Sequence, residues 1–307
     1  MMRISGVAIL RNAVSLEYPF RESLRSLSPL VEELIVNVGQ GEDGTFEAVQ
    51  ELCDPKIKAF RSEWDLRPRD GLALSEQTNL ALDRASGDWI VYLQADEVLH
   101  EDDLQVIRTN IEMQKPSTEG LVFDYLHFHT SPHVINDDWL TFYPRAVRAV
   151  RGGIGIVSSG DAAGFVRRTA ARTRGLIKAR AGARIFHYGW ADPSKQARAR
   201  ALSSLYHDRF DASPVDLFPA DLTVHPHLRR YQGEHPQTMK AWVSKTHPPG
   251  AVRPYRSPAW LRAWFSFLGS PRRFADPARP FLPLWLTNMK WRLEERRASL
   301  MRARRAR

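Results

Sequence analysis

The sequence predicts an α/β fold: a mostly parallel sheet with helices on both faces, followed by a helical, basic C-terminal appendage. Three observations lead there. Short apolar strands alternate with amphipathic segments through the first hundred or so residues, giving four β-α units, the pattern that builds a parallel sheet. The strands are apolar at consecutive positions, as strands covered on both faces must be. Basic residues gather in the second half, where proline-rich stretches break the chain into short pieces.

Residues 4–10 (Ile-Ser-Gly-Val-Ala-Ile-Leu) form the first strand, which ends at Arg11-Asn12. Leu24, Leu27 and Leu30 recur at helical spacing and place a helix over residues 20–30. A second strand over 34–38 is closed by the polar loop 39–45, and a helix over 45–52 leads to a third strand at 57–60. A helix over 73–85, stopped by Gly87, feeds a fourth strand at 89–93, after which come two carboxylates, Asp96 and Glu97. A further short strand covers 183–186.

Open α/β sheets bind ligands beyond the carboxyl ends of their strands, where the loops diverge. Asn12, Asn37, Asp43, Asp96 and Glu97 are therefore expected to converge. Each has a local alternative. Asp96 or Glu97 can cap the helix that starts near Glu101, and Asn and Asp stabilise turns by bonding nearby backbone.

At these residues the chain resembles the family-2 glycosyltransferases of the glycosyltransferase-A fold, in a bacterial branch acting on lipopolysaccharide core and other surface glycans. The resemblance rests on Val7-Ala-Ile-Leu-Arg-Asn12, Val36-Asn-Val-Gly-Gln-Gly-Glu-Asp43-Gly-Thr45, Gln77-Thr78-Asn79-Leu80-Ala81, Ser86-Gly-Asp-Trp89 and Gln94-Ala-Asp96-Glu97, in that order. It continues through Phe142-Tyr-Pro-Arg145-Ala-Val-Arg148, Gly160-Asp161-Ala-Ala-Gly164-Phe165, Ile185-Phe-His187-Tyr-Gly-Trp190 and Gly233-Glu-His-Pro236. Two positions depart from the family pattern. Gln94 stands where an aspartate is usual and Thr78 where an arginine is usual. The resemblance implies a nucleotide-sugar-binding half (1–118), an acceptor-side half of the same catalytic domain (119–210) and a Pro/Arg/Trp-rich helical appendage (211–307).

The implied chemistry suits these residue types. Breaking the bond from a sugar to a nucleoside diphosphate leaves negative charge on the phosphates, which a divalent cation stabilises as a Lewis acid. Mn2+ or Mg2+ takes oxygen ligands and keeps several waters, so one carboxylate with the substrate phosphates can suffice. Asp96 is the first candidate ligand, and His187 is either a second ligand or a histidine packed in a structural turn. An inverting transfer also needs a carboxylate base for the acceptor hydroxyl. Asp161 is preferred because it lies in a small-residue loop, with Asp137 and Asp138 as alternatives. Arg11, Asn12, Asn37, Asp43, Asn79 and Gln94 are candidates for the donor nucleotide, for which a UDP-sugar is favoured. Glu97, Arg145, Arg148 and Trp190 are candidates for acceptor or phosphate contacts.

Charge divides the chain. Residues 1–150 hold 14 Lys+Arg against 25 Asp+Glu, and residues 151–307 hold 30 against 10, so −11 and +20 sum to the overall +9. A basic half of this kind suggests an anionic partner. No helix-turn-helix, zinc-finger or RNA-recognition signature accompanies it, so no nucleic acid is expected. Aromatic clusters at 260–268 and 281–291, flanked by arginines, have the composition of segments that lie on anionic bilayers. A glycan or glycolipid acceptor at such a surface fits this composition.

No run approaches the ~18 apolar residues of a spanning helix, and the N-terminus lacks signal-peptide character. The single cysteine, Cys53, excludes an intrachain disulfide and is expected to pack in the helix after Thr45. Together these suggest a cytoplasmic enzyme, peripheral at most on the inner face of the membrane. A Rossmann dehydrogenase is disfavoured because Arg11-Asn12 stands where Gly-x-Gly-x-x-Gly would follow the first strand. A degenerate transferase scaffold that binds glycans or anions is the rival, on account of Gln94 and Thr78.

Overall fold

The computed structural model describes residues 2–65, 71–136, 143–192 and 228–246. The chain divides into two compact units, the first made of residues 1–135, 144–214 and 231–252, the second of 136–143, 215–230 and 253–307. Of the second unit the described residues are Asn136, Tyr143 and a short strand, Leu228–Arg230. Asp137, Asp138 and the aromatic segments 260–268 and 281–291 lie outside the described residues.

In chain order the strands of the first unit are β1 (Ile4–Leu10), β2 (Glu33–Gly39), β3 (Ile57–Ser62), β4 (Trp89–Leu93), β5 (Glu97–Leu99) and β6 (Gly120–His129). They continue as β7 (Ser131–Asn136), β8 (Arg145–Arg151), β9 (Ile156–Ser159), β10 (Gly164–Arg168), β11 (Thr173–Gly175) and β12 (Lys178–Trp190). The helices are α1 (Phe20–Leu27), α2 (Thr45–Gln50), α3 (Leu72–Leu82), α4 (Glu101–Glu112) and α5 (Lys240–Thr246). Strands pair in the order β3-β2-β1-β4, all parallel, as the β-α alternation predicts. Beyond β4 the sheet turns antiparallel through β8 and β6. β12 runs parallel to β6 and antiparallel to β5. β9, β10 and β11 form a separate antiparallel sheet.

Side chains alternate across a strand with period two, and the sequence uses that alternation to fill two cores. Ala8 and Leu10 of β1 with Val36 and Val38 of β2 enter one core, with Leu24 and Leu27 of α1, Val49 of α2, and Ile107 and Ile111 of α4. Val7 and Ile9, Ile35, Ile90 and Tyr92 enter the other, with Ala73, Ala81 and Leu82 of α3. Helices thus cover both faces, and that is why β1, β2 and β4 are buried along their whole length.

Three local expectations change. The helix predicted over 20–30 ends at Leu27 and passes into a 3-10 turn, Ser28–Leu30, because Pro29 has no N–H for an α-helical bond. Helix α4 is capped by His100, whose Nδ1 accepts from the Asp102 N–H at 3.3 Å, so neither Asp96 nor Glu97 serves as its cap. Cys53, expected to pack in the second helix, lies just past its end with φ of 52° and is exposed. Among the described residues no helix is long and apolar enough to cross a membrane.

Candidate functional site

β4 ends at Leu93, and the turn Gln94-Ala95-Asp96 closes through the Glu97 N–H to the Gln94 carbonyl at 3.1 Å. β5 then begins at Glu97 and pairs with β12 so that Glu97 lies opposite His187. The Asp96 carbonyl accepts the Tyr188 N–H at 2.8 Å. Backbone pairing therefore brings together two residues ninety-one positions apart, and Asp96 Oδ2 lies 3.4 Å from His187 Nε2. Burial alone would raise the Asp96 pKa, but the adjacent His187 charge and hydrogen bond hold it below the usual carboxylate range. Burial likewise acts to lower the His187 pKa, yet Asp96 raises it above the usual imidazole value.

Gly189 packs directly against this pair, and only a glycine leaves room there for the Asp96 carboxylate. A Cβ there would lie 2.2 Å from Asp96 Oδ2 and 3.1 Å from His187 Nε2. A carboxylate oxygen beside an imidazole nitrogen is a donor pair that a divalent first-row cation can accept. Among the described residues no group of three or more His, Cys, Asp or Glu is placed to hold a metal ion. Among the described residues a cation here would find two protein ligands, leaving positions for phosphate and water oxygens.

Beneath this pair sits a buried polar assembly. Arg148 donates to Glu97 through Nε at 2.8 Å and Nη2 at 2.8 Å, with both side chains fully inaccessible. The Tyr125 hydroxyl and the Gln94 N–H add bonds to the same carboxylate at 2.8 Å and 3.1 Å. The guanidinium lies 5.4 Å from the centroids of both Tyr92 and Tyr125. Glu97 and Arg148, expected at an acceptor or phosphate, are placed as a buried ion pair. Arg148 also donates to the Ala163 carbonyl at 3.3 Å. Ala163 in turn gives its N–H to Asp161 Oδ1 at 3.1 Å, in an exposed turn between β9 and β10 where Gly160 and Ala162 have φ of 65° and 61°. This chain of bonds moors the Asp161 loop to the end of β4.

The nucleotide candidates separate into two groups. Asn37 is fully buried on β2, where its amide donates to the Gln77 carbonyl and side chain at 3.0 Å each and accepts from Ser62. Asp43 ties two loops together, accepting from the Val14 and Ser15 N–H groups at 3.1 and 3.0 Å and from the Thr45 hydroxyl at 2.7 Å. Asn79 clamps α3 to β9, with Oδ1 taking the Ser158 N–H at 2.7 Å and Nδ2 giving to the Ser158 carbonyl at 3.3 Å. All three shape the loops. Arg11, Asn12 and Gln94 are partly exposed at strand ends, Asn12 with φ of 52°. Of the remaining candidates, Arg145 pairs with Asp124 on the surface at 2.8 Å, and Trp190 is partly exposed at the end of β12. Thr78, where an arginine was usual, is fully buried and donates to the Leu74 carbonyl at 2.8 Å, so that position supplies no charge.

One contributor was not read from the sequence, and one motif that was read there acquires a partner. His127 on β6 lies opposite His187 in register, with Nδ1 2.9 Å from His187 Nδ1. Tyr125-Leu-His127 offered only the period-two spacing of a strand. Gly233-Glu-His-Pro236 packs against His187-Tyr-Gly-Trp190: the Tyr188 hydroxyl meets His235 Nδ1 at 2.8 Å, and Phe128 stacks on Tyr188 at 4.5 Å. Burial lowers the His235 pKa to about 4.

No curated protein matches the sequence. Among solved structures, S. aureus TarS 1-349 is 14% identical over 66% of this chain and 65% of that one, with a TM-score of 0.40. The mannosyltransferase PcManGT from Pyrobaculum calidifontis, in complex with GDP-Man and Mn2+, is 14% identical over 66% and 60%, with a TM-score of 0.39. Glucosyl-3-phosphoglycerate synthase from Mycobacterium tuberculosis, with Mn2+, UDP and phosphoglyceric acid, is 20% identical over 40% and 43%, with a TM-score of 0.29. The chain spans less than two thirds of the length of each. Residues 19–168, just under half of the 307 residues, match the family model described as Glycosyl transferase family 2.

Proposed function

We propose that this protein transfers a sugar from a nucleoside-diphosphate sugar, a UDP-sugar by preference, to an acceptor hydroxyl with inversion. The observation that carries it is the Asp96–His187 pair just beyond the end of β4, with Gly189 packed against both side chains. Asp96 and His187 would hold Mn2+ or Mg2+, which when bound neutralises charge developing on the leaving diphosphate. Arg11, Asn12 and Gln94, partly exposed at strand ends, would receive the base and ribose, and Gln94 can bond a ribose hydroxyl through its amide. Asn37, Asp43 and Asn79 keep those loops in shape. Asp161, exposed in a turn anchored through Ala163 to Arg148, is the general base in this scheme. Asp137 and Asp138 are the alternatives. Glu97 and Arg148 hold the floor beneath the donor, and Arg145 and Trp190 remain candidates for the acceptor.

Asp96→Ala should abolish transfer and the cation-dependent part of nucleotide affinity while the fold persists. Asp161→Asn should cut turnover by about two to four orders of magnitude with donor affinity near wild type. Thermal-shift assays against UDP-, GDP-, CMP- and dTDP-sugars, followed by turnover measurements, check both. Unchanged cation-dependent UDP binding in Asp96→Ala would sink the cation site. A scaffold that binds the donor without turnover is the competing function, favoured by Gln94 and by the uncharged, buried Thr78.

For the acceptor, a surface-glycan or glycolipid hydroxyl is supported by the +20 charge of residues 151–307, which suits an anionic surface on the inner face of the membrane. Sedimentation with anionic and neutral vesicles tests this. Failure to bind anionic vesicles at low salt would point to a soluble acceptor.

A further inference from the structure

The cation reading leaves one requirement unmet by Asp96 and His187 alone. A histidine coordinates through a nitrogen that carries a lone pair, and which nitrogen that is depends on the bond made by the other. His187 Nε2 faces Asp96, so Nδ1 must carry the ring proton if Nε2 is to ligate. Nδ1 lies 2.9 Å from a single ring nitrogen, Nδ1 of His127. Both imidazoles are buried. Two neutral rings facing each other through Nδ1 can share only one proton between those atoms, so one donates and the other accepts. When His187 donates, its Nε2 carries the lone pair and the remaining His127 proton sits on Nε2. When His127 donates, His187 carries its proton on Nε2 and points it at Asp96. Neither arrangement changes the net charge of the pair.

His127 is itself held in place. It stacks on Tyr125 with centroids 5.1 Å apart, meets His187 edge-on at 4.9 Å, and sits on β6 in parallel register with β12. Tyr125 is tied through its hydroxyl to Glu97, the neighbour of Asp96. We propose that His127 is a positioning residue: its Nδ1 accepts the Nδ1–H of His187, which orients the His187 ring and turns the Nε2 lone pair toward a divalent cation seated beside Asp96. This rests on the cation site proposed above, and the experiment separates the two.

The probe is Co2+ added to the full-length metal-free protein, followed by visible absorption and calorimetry, with no substrate and no turnover. His127→Phe keeps a ring against Tyr125 but removes the acceptor. His127→Asn places an amide oxygen near the position of Nδ1. His127→Phe should weaken Co2+ binding by roughly 10- to 100-fold, as loss of a partner to a ligating histidine does, and His127→Asn should restore most of it. In the metal-free protein, histidine 15N shifts should report a smaller Nδ1–H fraction for His187 in His127→Phe than in His127→Asn. Wild-type Co2+ affinity in His127→Phe, with binding lost in Asp96→Ala, overturns the role of His127 and leaves the cation site standing. The role is equally overturned if His127→Asn fails as badly as His127→Phe, since packing would then be the cause. Unchanged Co2+ affinity in Asp96→Ala overturns the cation site and this inference with it.

Discussion

Gly189 matters through the atom it lacks. Its position beside Asp96 Oδ2 and His187 Nε2 means that a methyl group would collide with the carboxylate and crowd the imidazole. Gly189→Ala should therefore displace Asp96 and lose cation-dependent nucleotide binding, measured by calorimetry with UDP and Mn2+, with a lowered melting temperature. A variant that binds as wild type would show that this pair is not the site. Asp96 and His187 were legible in the sequence because each stands in a short motif with its own spacing. Their meeting was read only as one of two alternatives, since it depends on the antiparallel pairing of β5 with the far end of β12. His127 was invisible for the same reason: one of two histidines in β6, it has no signal of its own until the register of β6 against β12 is known.

Among the elements, the small sheet β9-β10-β11 shows how one carboxylate can gather several strands. Glu119, buried just before β6, accepts from Arg167 of β10 at 2.6 Å, from Arg174 of β11 at 2.6 and 2.7 Å, and from the Ile177 N–H at 2.9 Å. Burial alone would raise its pKa, but these partners, Arg174 first, bring it down from 4.5 to about 2. A carboxylate with a depressed folded-state pKa stabilises the protein fully above its unfolded value and loses that contribution as the pH falls through the folded one. The window here runs from about pH 4.5 down to about 2. Urea midpoints measured across it should fall more steeply for wild type than for Glu119→Gln; parallel curves would refute the assignment. The strands themselves were partly legible. Those of the parallel half were read to within one or two residues, because β1, β2 and β4 are mostly apolar and buried throughout. β10 and β11 were not, because arginines interrupt their alternation and the carboxylate those arginines share lies in a different element.

Across the whole first unit, the pair Glu97–Arg148 joins the parallel half of the sheet to the antiparallel half. It links β5 to β8, with Tyr125 of β6 on the same carboxylate and the β9–β10 loop on the same guanidinium. Removing one member of a buried ion pair leaves an uncompensated charge, at a cost of about 3–5 kcal/mol. Arg148→Met should lose about that much stability in chemical denaturation, and Glu97→Leu combined with Arg148→Met should recover part of it. A loss below about 1 kcal/mol would mean that the pair is not a structural pin. The α/β class followed from four apolar strands alternating with helices, a pattern set by local sequence. The return of residues 231–246 to the first unit could not be read that way, since it is set by aromatic contacts with β6 and β12.

That return has a consequence for the order in which the protein is made. The rings of Phe128, Phe186 and Tyr188 are covered by Tyr231, Met239, Trp242 and Val243, and the Tyr188–His235 bond spans 47 residues. Chains fold from the N-terminus as they emerge from the ribosome, so β1 to β4 can assemble from neighbouring β-α units early. The strand bearing His187 must wait with an uncovered aromatic face until some fifty further residues have been synthesised. The growing chain is most exposed to aggregation, and most dependent on chaperones, in the interval between the synthesis of its candidate cation ligand and of the segment that seals it.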